Sequence, residues 1–344
     1  MPQVVSQVAP QSVAREGSGG TEGSLEYFVL DVFSATRLMG NPLAVVLNPG
    51  TLTTETMQAI ARETNLSETT FIERRDPAVE RRDGVLVRIF TTQEELPFAG
   101  HPTLGTASLL KATAPECVAE NTVKLALRVG MVPVRFDAQK AGAPGWPVKG
   151  EMTQRDPEFG ECLDSAEVAA LTGLDREDFD PLLPVQIVST GMAFAIVPLR
   201  TAAALKHLCV RQEEAKAFLR ARGARWFYVL GPAEAPASVK PSAPAASLPL
   251  WQARMQFNGG EDPATGSAAG CAISYLVRHG AVASGQTIHL RQGVEILRPS
   301  DIFLSASLQA ASETPVNAPW QPGVTNVHVG GSTILAATGR LFLP

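Results

Sequence analysis

Three ionisable residues fall at turns rather than inside regular elements, and their types suit proton transfer: Glu68, His101 and Asp262, with Ser67 and Ser267 close by in the chain. A carboxylate enclosed in apolar surroundings has its pKa raised, and an imidazole or second carboxylate facing it takes the complementary protonation state. Such a set can remove a proton from carbon and return it. Each residue also has a plain structural explanation: Glu68 as a solvated strand end, His101 as a helix cap, Asp262 as the cap of a helix starting after Pro263. The catalytic reading gains weight because the three occupy equivalent points of a duplicated design.

That design is a strand, a turn and a helix. It occurs as Phe90-Thr-Thr-Gln-Glu-Glu-Leu-Pro-Phe-Ala-Gly-His-Pro-Thr-Leu-Gly-Thr-Ala107 and again as Phe257-Asn-Gly-Gly-Glu-Asp-Pro-Ala-Thr-Gly-Ser-Ala-Ala-Gly270. Each copy predicts an Ala-rich apolar helix whose first backbone N–H groups lack internal partners and lie at the positive end of the helix dipole. Two such ends facing a cleft would hold a carboxylate or a developing enolate. The duplication extends upstream, where Gly40-Asn-Pro-Leu-Ala-Val-Val-Leu47 parallels Gly191-Met-Ala-Phe-Ala-Ile-Val-Pro198. A repeat this long implies two related halves rather than a solenoid.

The surrounding elements follow from pattern. Residues 1–24, rich in Gly, Ser, Gln and Val without periodicity, read as a disordered leader. Leu25–Phe33 and Gly40–Leu47 read as strands, Thr53–Glu63 as a helix capped by Thr53, and Glu68–Ile72 as a strand. The charged stretch Glu73–Asp83 reads as a solvated hairpin leading to the strand Val85–Phe90. Residues 25–145 form the N-terminal half, to which a strand at 333–344 is expected to return. Ala138–Gly150 is the linker candidate, and residues 150–332 form the C-terminal half. Its expected elements are a helix at Asp164–Thr172, strands near Val185–Ser189, Met192–Val197 and Trp226–Leu230, and a helix at Gln212–Arg222. The Pro/Ala-rich segment 231–249 reads as an extended insertion.

Composition limits the function classes. With 344 residues and 45% hydrophobic content, the chain can fill two ordinary cores. A net charge of −5 leaves no electrostatic footprint for nucleic acid or an anionic membrane surface. Cys117, Cys162, Cys209 and Cys271 are widely spaced and make no metal pattern. The absence of a signal-like or membrane-length segment points to the cytoplasm. Gly100-His-Pro-Thr-Leu-Gly-Thr106 lacks the lysine of a phosphate loop, and there is no Gly-x-Ser-x-Gly elbow. His207, His279, His289 and His328 fall in contexts that read as surface helix or strand, so His101 alone sits at a helix start.

At these residues the chain strongly resembles the PhzF family, the phenazine-biosynthesis isomerases and their relatives. The matching strings are Asp31-Val-Phe33, Gly40-Asn-Pro-Leu-Ala-Val-Val46, Asn65-Leu-Ser-Glu-Thr-Thr-Phe71, Glu95-Leu-Pro-Phe-Ala-Gly-His-Pro-Thr103, Gly260-Glu-Asp-Pro-Ala-Thr-Gly-Ser-Ala268 and Val327-His-Val-Gly-Gly331. The resemblance implies an α+β fold of two pseudo-symmetric diaminopimelate-epimerase-like domains, each a curled, mainly antiparallel sheet around a central helix, with the active site between them. It implies Glu68 as the catalytic glutamate, supported by His101 and Asp262, and carboxylate-binding turns at Ser67, Gly100, Gly266 and Ser267. It further implies a cofactor-free, metal-free proton shift on a small carboxylate-bearing substrate, as in dihydro-hydroxyanthranilate isomerisation, and a homodimer. Ala99 and Thr265 stand where related epimerases carry cysteines, which disfavours a two-thiol racemase. Leu297-Arg298-Pro299-Ser300 departs from the family's usual glycine before the arginine. The alternative is a binding or interaction protein that keeps the cleft without turnover.

Overall fold

The computed structural model describes residues 23–50, 52–138, 145–233, 248–257, 259–309 and 323–343. The leader, most of the segment 231–249 and part of the linker lie outside these residues. The expected elements form with small shifts. The first strand, β1, is Ser24–Val32 and the second, β2, is Asn41–Leu47. Helix α1, Thr54–Thr64, is capped by the Thr53 hydroxyl and closed by Asn65 in the left-handed region. Strand β3 is Glu68–Glu73 and strand β4 is Val85–Phe90.

The predicted hairpin between β3 and β4 is not a solvated turn. Asp76 caps a short helix, α2 (Pro77–Asp83), with proline in its first turn. Glu80 points inward, its side chain fully buried, and accepts three hydrogen bonds from the Arg74 guanidinium and one from the backbone N–H of Arg75. Arg74 also reaches Glu116 and the Cys117 sulfur. The Asp-Pro start is the local signal for a helix; the burial of Glu80 depends on a cation six residues earlier and closes only in three dimensions.

Helix α3, Gly100–Thr113, is buried on every side from Gly100 to Leu110. Such a helix must be enclosed, and a ring of strands encloses it. Antiparallel and parallel pairings run from β1 through β2, β3 and β4 to Thr122–Leu127, Gly130–Phe136 and Val148–Thr153. The long C-terminal strand Val324–Phe342 closes the ring by pairing with both Val148–Thr153 and β1. Gly150 permits the closure, because a Cβ there would lie 2.7 Å from the Phe136 ring.

Helices α4 (Ser165–Thr172) and α5 (Gln212–Arg220) cover a satellite core on the outer face. Helix α6, Gly266–Arg278, is the second enclosed helix. Strands Gln186–Ser189, Ala193–Pro198, Phe227–Pro232, Leu250–Arg254, Ile288–Gln292 and Ser300–Leu308 repeat the order of antiparallel and parallel pairings found around α3, and again end on Val324–Phe342. One strand thus serves both enclosures, and the main apolar core runs continuously past both helices.

A joint ties the start of β2 to the far half. Arg298 donates to the Asp31 carboxylate at 2.6 Å and to the carbonyls of Met39 and Gly40, while Asp31 also accepts the Leu38 N–H. Leu297, which stands where the expected motif has glycine before this arginine, is exposed and adopts a φ of 60°, the left-handed region that glycine favours.

Replacing Glu80 by Ala should lower the unfolding free energy by about 3 kcal/mol, because it leaves Arg74 without its buried counter-charge. Urea denaturation followed by tryptophan fluorescence checks this; a midpoint within error of the parent would contradict the buried network.

Candidate active site

Glu68 opens β3, where its parallel pairing with Leu43 brings it beside β2. His101 is the second residue of α3, and Asp262 precedes the Pro-Ala-Thr turn into α6. The fold brings all three together. The Glu68 Oε2 and His101 Nε2 atoms face each other at 3.4 Å, with side-chain exposures of 16% and 6%. Both atoms are buried and have no hydrogen-bond partner among the described residues.

Asn41, the first residue of β2 and fully buried, links His101 to Asp262. Its amide nitrogen donates to Asp262 Oδ1 at 2.8 Å and to the Ala264 carbonyl at 2.9 Å, and lies 3.3 Å from His101 Nδ1. The amide's two hydrogens go to Asp262 and Ala264, and a hydrogen on Nδ1 would find no acceptor in this NH2 group, which leaves the proton of the neutral ring on Nε2, toward Glu68. The other Asp262 oxygen accepts the Thr265 hydroxyl at 2.7 Å.

Burial sets the charges. Desolvation pushes the Glu68 carboxyl up to about 8, with the Asp262 charge adding to it, and holds His101 far below the ordinary imidazole range. The close pair is thus a neutral imidazole beside a carboxyl that resists ionisation, not an ion pair. Asp262 rises less, to about 6, because hydrogen bonds from Thr265, Asn41 and the backbone favour its ionised form against burial. Two carboxyls in one cleft are held in different protonation states.

The two enclosed helices meet nose to nose at this point. A Cβ on Gly100 would lie 3.1 Å from the Ser267 nitrogen and 3.3 Å from Gly266, and one on Gly266 would lie 3.6 Å from both the Gly100 Cα and the His101 nitrogen. Among the six α-helices described, α1, α2 and α4 have side-chain caps and α5 has two glutamates in its first turn. Helices α3 and α6 have neither a side-chain cap nor a first-turn acid. Their start residues are Ala99 and Thr265, and no thiol stands at either.

Of the expected site residues, Glu68, His101, Asp262, Gly100 and Gly266 converge, and Ser267 is half-buried at the same junction. Ser67 is exposed, and its hydroxyl has no partner among the described residues. Two residues were not foreseen as part of the site, Asn41 and Gln292. Asn41 lay within a recognised motif, and a polar residue opening an otherwise apolar strand was its only local signal; Gln292, discussed below, gave none. Of the histidines assigned to the surface, His289 bonds Asp301 at 2.7 Å and His279 bonds Gln186 at 2.9 Å, both partly buried. Cys271 is buried against Thr190 and the Met192 carbonyl.

A family model described as phenazine biosynthesis-like protein matches residues 30–318. The chain belongs to the phenazine biosynthesis-like family. It is 34% identical over 321 residues to a Pseudomonas aeruginosa protein named trans-2,3-dihydro-3-hydroxyanthranilate isomerase, covering 92% of this chain and 99% of that one. A solved structure described as a predicted epimerase from Pseudomonas aeruginosa superposes with a TM-score of 0.71 at 31% identity, over 93% of this chain and all of the other. A hydroxyproline epimerase from Agrobacterium vitis, 11% identical, has a TM-score of 0.56 over 94% of this chain and 93% of the other and shares the fold. The chain is an isomerase of this family, with the epimerase-like fold of mixed strands and helices. No helix among the described residues is long and apolar enough to cross a membrane.

The raised Glu68 carboxyl fixes the sign of a stability effect. With its folded pKa above the unfolded value, the folded state holds the extra proton, so stability is full below about pH 4.5 and falls as pH rises toward 8. Glu68→Gln should therefore melt higher than the parent at pH 8 and close to it at pH 5. Equal differences at the two pH values in thermal denaturation would contradict a buried, proton-holding Glu68.

Proposed function

We propose that this isomerase is cofactor-independent and moves a proton on a small carboxylate-bearing metabolite of the dihydro-hydroxyanthranilate type. The observation that carries the reading is the facing pair of unpartnered atoms, Glu68 Oε2 and His101 Nε2, beside two abutting, uncapped helix starts. The name of the P. aeruginosa relative supports the substrate class. The substrate carboxylate sits on the N–H groups of Gly100, His101, Gly266 and Ser267. There the partial positive charge of both helices also stabilises negative charge as it spreads over the conjugated system.

Ionised Glu68 removes a proton from carbon and, as a carboxylic acid that exchanges with solvent, delivers a proton to another carbon of the system, so atoms and electrons balance without an oxidant or reductant. His101, with its Nε2–H toward the pair, donates a hydrogen bond in the cleft. Asp262, held ionised by Asn41 and Thr265, keeps the imidazole neutral-side acceptor aligned through the Asn41 amide. Holding these groups at fixed distances removes much of the orientational cost of the proton transfer.

The same reading extends to organisation. The repeated pairing order supports two pseudo-symmetric halves, 25–145 with 333–344 returning to it, and 150–332. The family resemblance supports a homodimer, which light scattering after size exclusion tests directly.

Glu68→Gln should reduce turnover of dihydro-hydroxyanthranilate by about 10^3-fold, in the range of a general acid–base group, and abolish carbon-bound deuterium uptake seen by proton NMR in heavy water. Undiminished uptake in that variant would sink the assignment. A chain with no uptake at all in the parent form would favour the binding-protein alternative.

The parent's kcat/KM should rise nearly tenfold per pH unit from pH 6 and level off near pH 8, because the base must be ionised in the free enzyme. A flat profile between pH 6 and 8 would contradict Glu68 as the base.

A further inference from the structure

Gln292, at the end of strand Ile288–Gln292, has no exposure and makes no hydrogen bond to Glu68 or His101. Its amide makes four hydrogen bonds, the full complement of two N–H donors and two lone pairs. Oε1 accepts the Tyr228 hydroxyl at 2.8 Å and the Thr265 backbone N–H at 3.1 Å. Nε2 donates to the Asp262 carbonyl at 2.8 Å and to Thr265 Oγ1 at 3.0 Å. The orientation of this amide has no freedom, since a backbone N–H can only donate and a backbone carbonyl can only accept.

One consequence reaches the cleft. Thr265 Oγ1 receives a hydrogen from Gln292, so its own hydrogen is directed to Asp262 Oδ2, 2.7 Å away. The order of donation is Tyr228 to Gln292, Gln292 to Thr265, and Thr265 to Asp262. Hydrogen bonds aligned in this way reinforce one another.

We propose that Gln292 is a positioning residue: from behind the turn that opens α6, it aims the Thr265 hydroxyl at Asp262 and holds the Asp262–Thr265 turn against the first residues of the helix. Its part in turnover rests on the cleft being the isomerase site; its control of Asp262 does not. The groups facing Asp262 are Glu68, Glu261 and the Tyr228 hydroxyl, with His101 beyond Asn41. Glu261 is itself engaged by Arg254, at 2.6 and 2.9 Å. Asn41, Thr265 and the backbone at Ala264 oppose the carboxylates.

The test is a titration of Asp262 by NMR of protein labelled with carbon-13 at the aspartate carboxyls, the signal being assigned by its loss in Asp262→Asn. In Gln292→Glu, the side chain keeps its shape but has at most one donor, so Thr265 Oγ1 or the Asp262 carbonyl loses its partner. The Asp262 midpoint should rise by about one pH unit, and kcat on dihydro-hydroxyanthranilate should fall more than KM rises. Gln292→Met, which removes every amide bond, should move the midpoint in the same direction, while Thr265→Ser alone, which keeps the hydroxyl, should leave the parent value. An unchanged midpoint in either folded Gln292 variant overturns the proposal. Failure of both to fold overturns it too, by making Gln292 a residue of core stability alone. A shifted midpoint with unchanged turnover upholds the positioning of Asp262 and counts against the isomerase reading of the cleft.

Discussion

The meeting of two helix N-termini is the constraint to which the rest of the molecule answers. Each end carries roughly half a positive charge. Two half-charges about 4 Å apart repel by about 1 kcal/mol at an effective dielectric of 20. The chain adds to this by leaving both ends without side-chain caps or first-turn acids, although four other helices have one or the other. An arrangement unfavourable when empty becomes favourable around an anion, and glycine at both contact points is what lets the ends come so close.

Several otherwise separate features hold that contact in place. The strand Val324–Phe342 takes part in the enclosures of both helices, so neither can shift independently. Phe33 adopts a φ of 62°, which a bulky side chain rarely does, and its buried ring lies against Gly331 of that strand and near Gly266. Gln154 donates to the Gly266 carbonyl and lies where a Cβ on Gly270 would stand. The Asp31–Arg298 joint holds the chain just before Asn41, whose amide spans from one half to the other.

Local pattern made much of this legible. The two helix starts, the strand opening with Glu68 and the grouping of Glu68, His101 and Asp262 at turns all came from spacing and from the repeated design, because helix ends and turns are specified by residues near in sequence. What escaped notice depends on distant partners. Asn41 acquires its role from Asp262, 221 positions away, and Gln292 from Tyr228 and Thr265, 64 and 27 positions away. The stretch around α2 was misread for a related reason: alternating arginines and acids resemble a solvated face until Arg74 is seen to turn Glu80 inward. Ser67, which its motif places beside Glu68, is exposed.

The central claim is that the paired helix ends seat the substrate carboxylate. The most direct measurement follows the backbone amide signals of nitrogen-15-labelled protein as 3-hydroxyanthranilate, a stable analogue carrying the same carboxylate, is added. The account predicts that the amides of Gly100, His101, Gly266 and Ser267 shift together and saturate with one midpoint. Saturable shifts elsewhere, with these four signals unmoved, would contradict it.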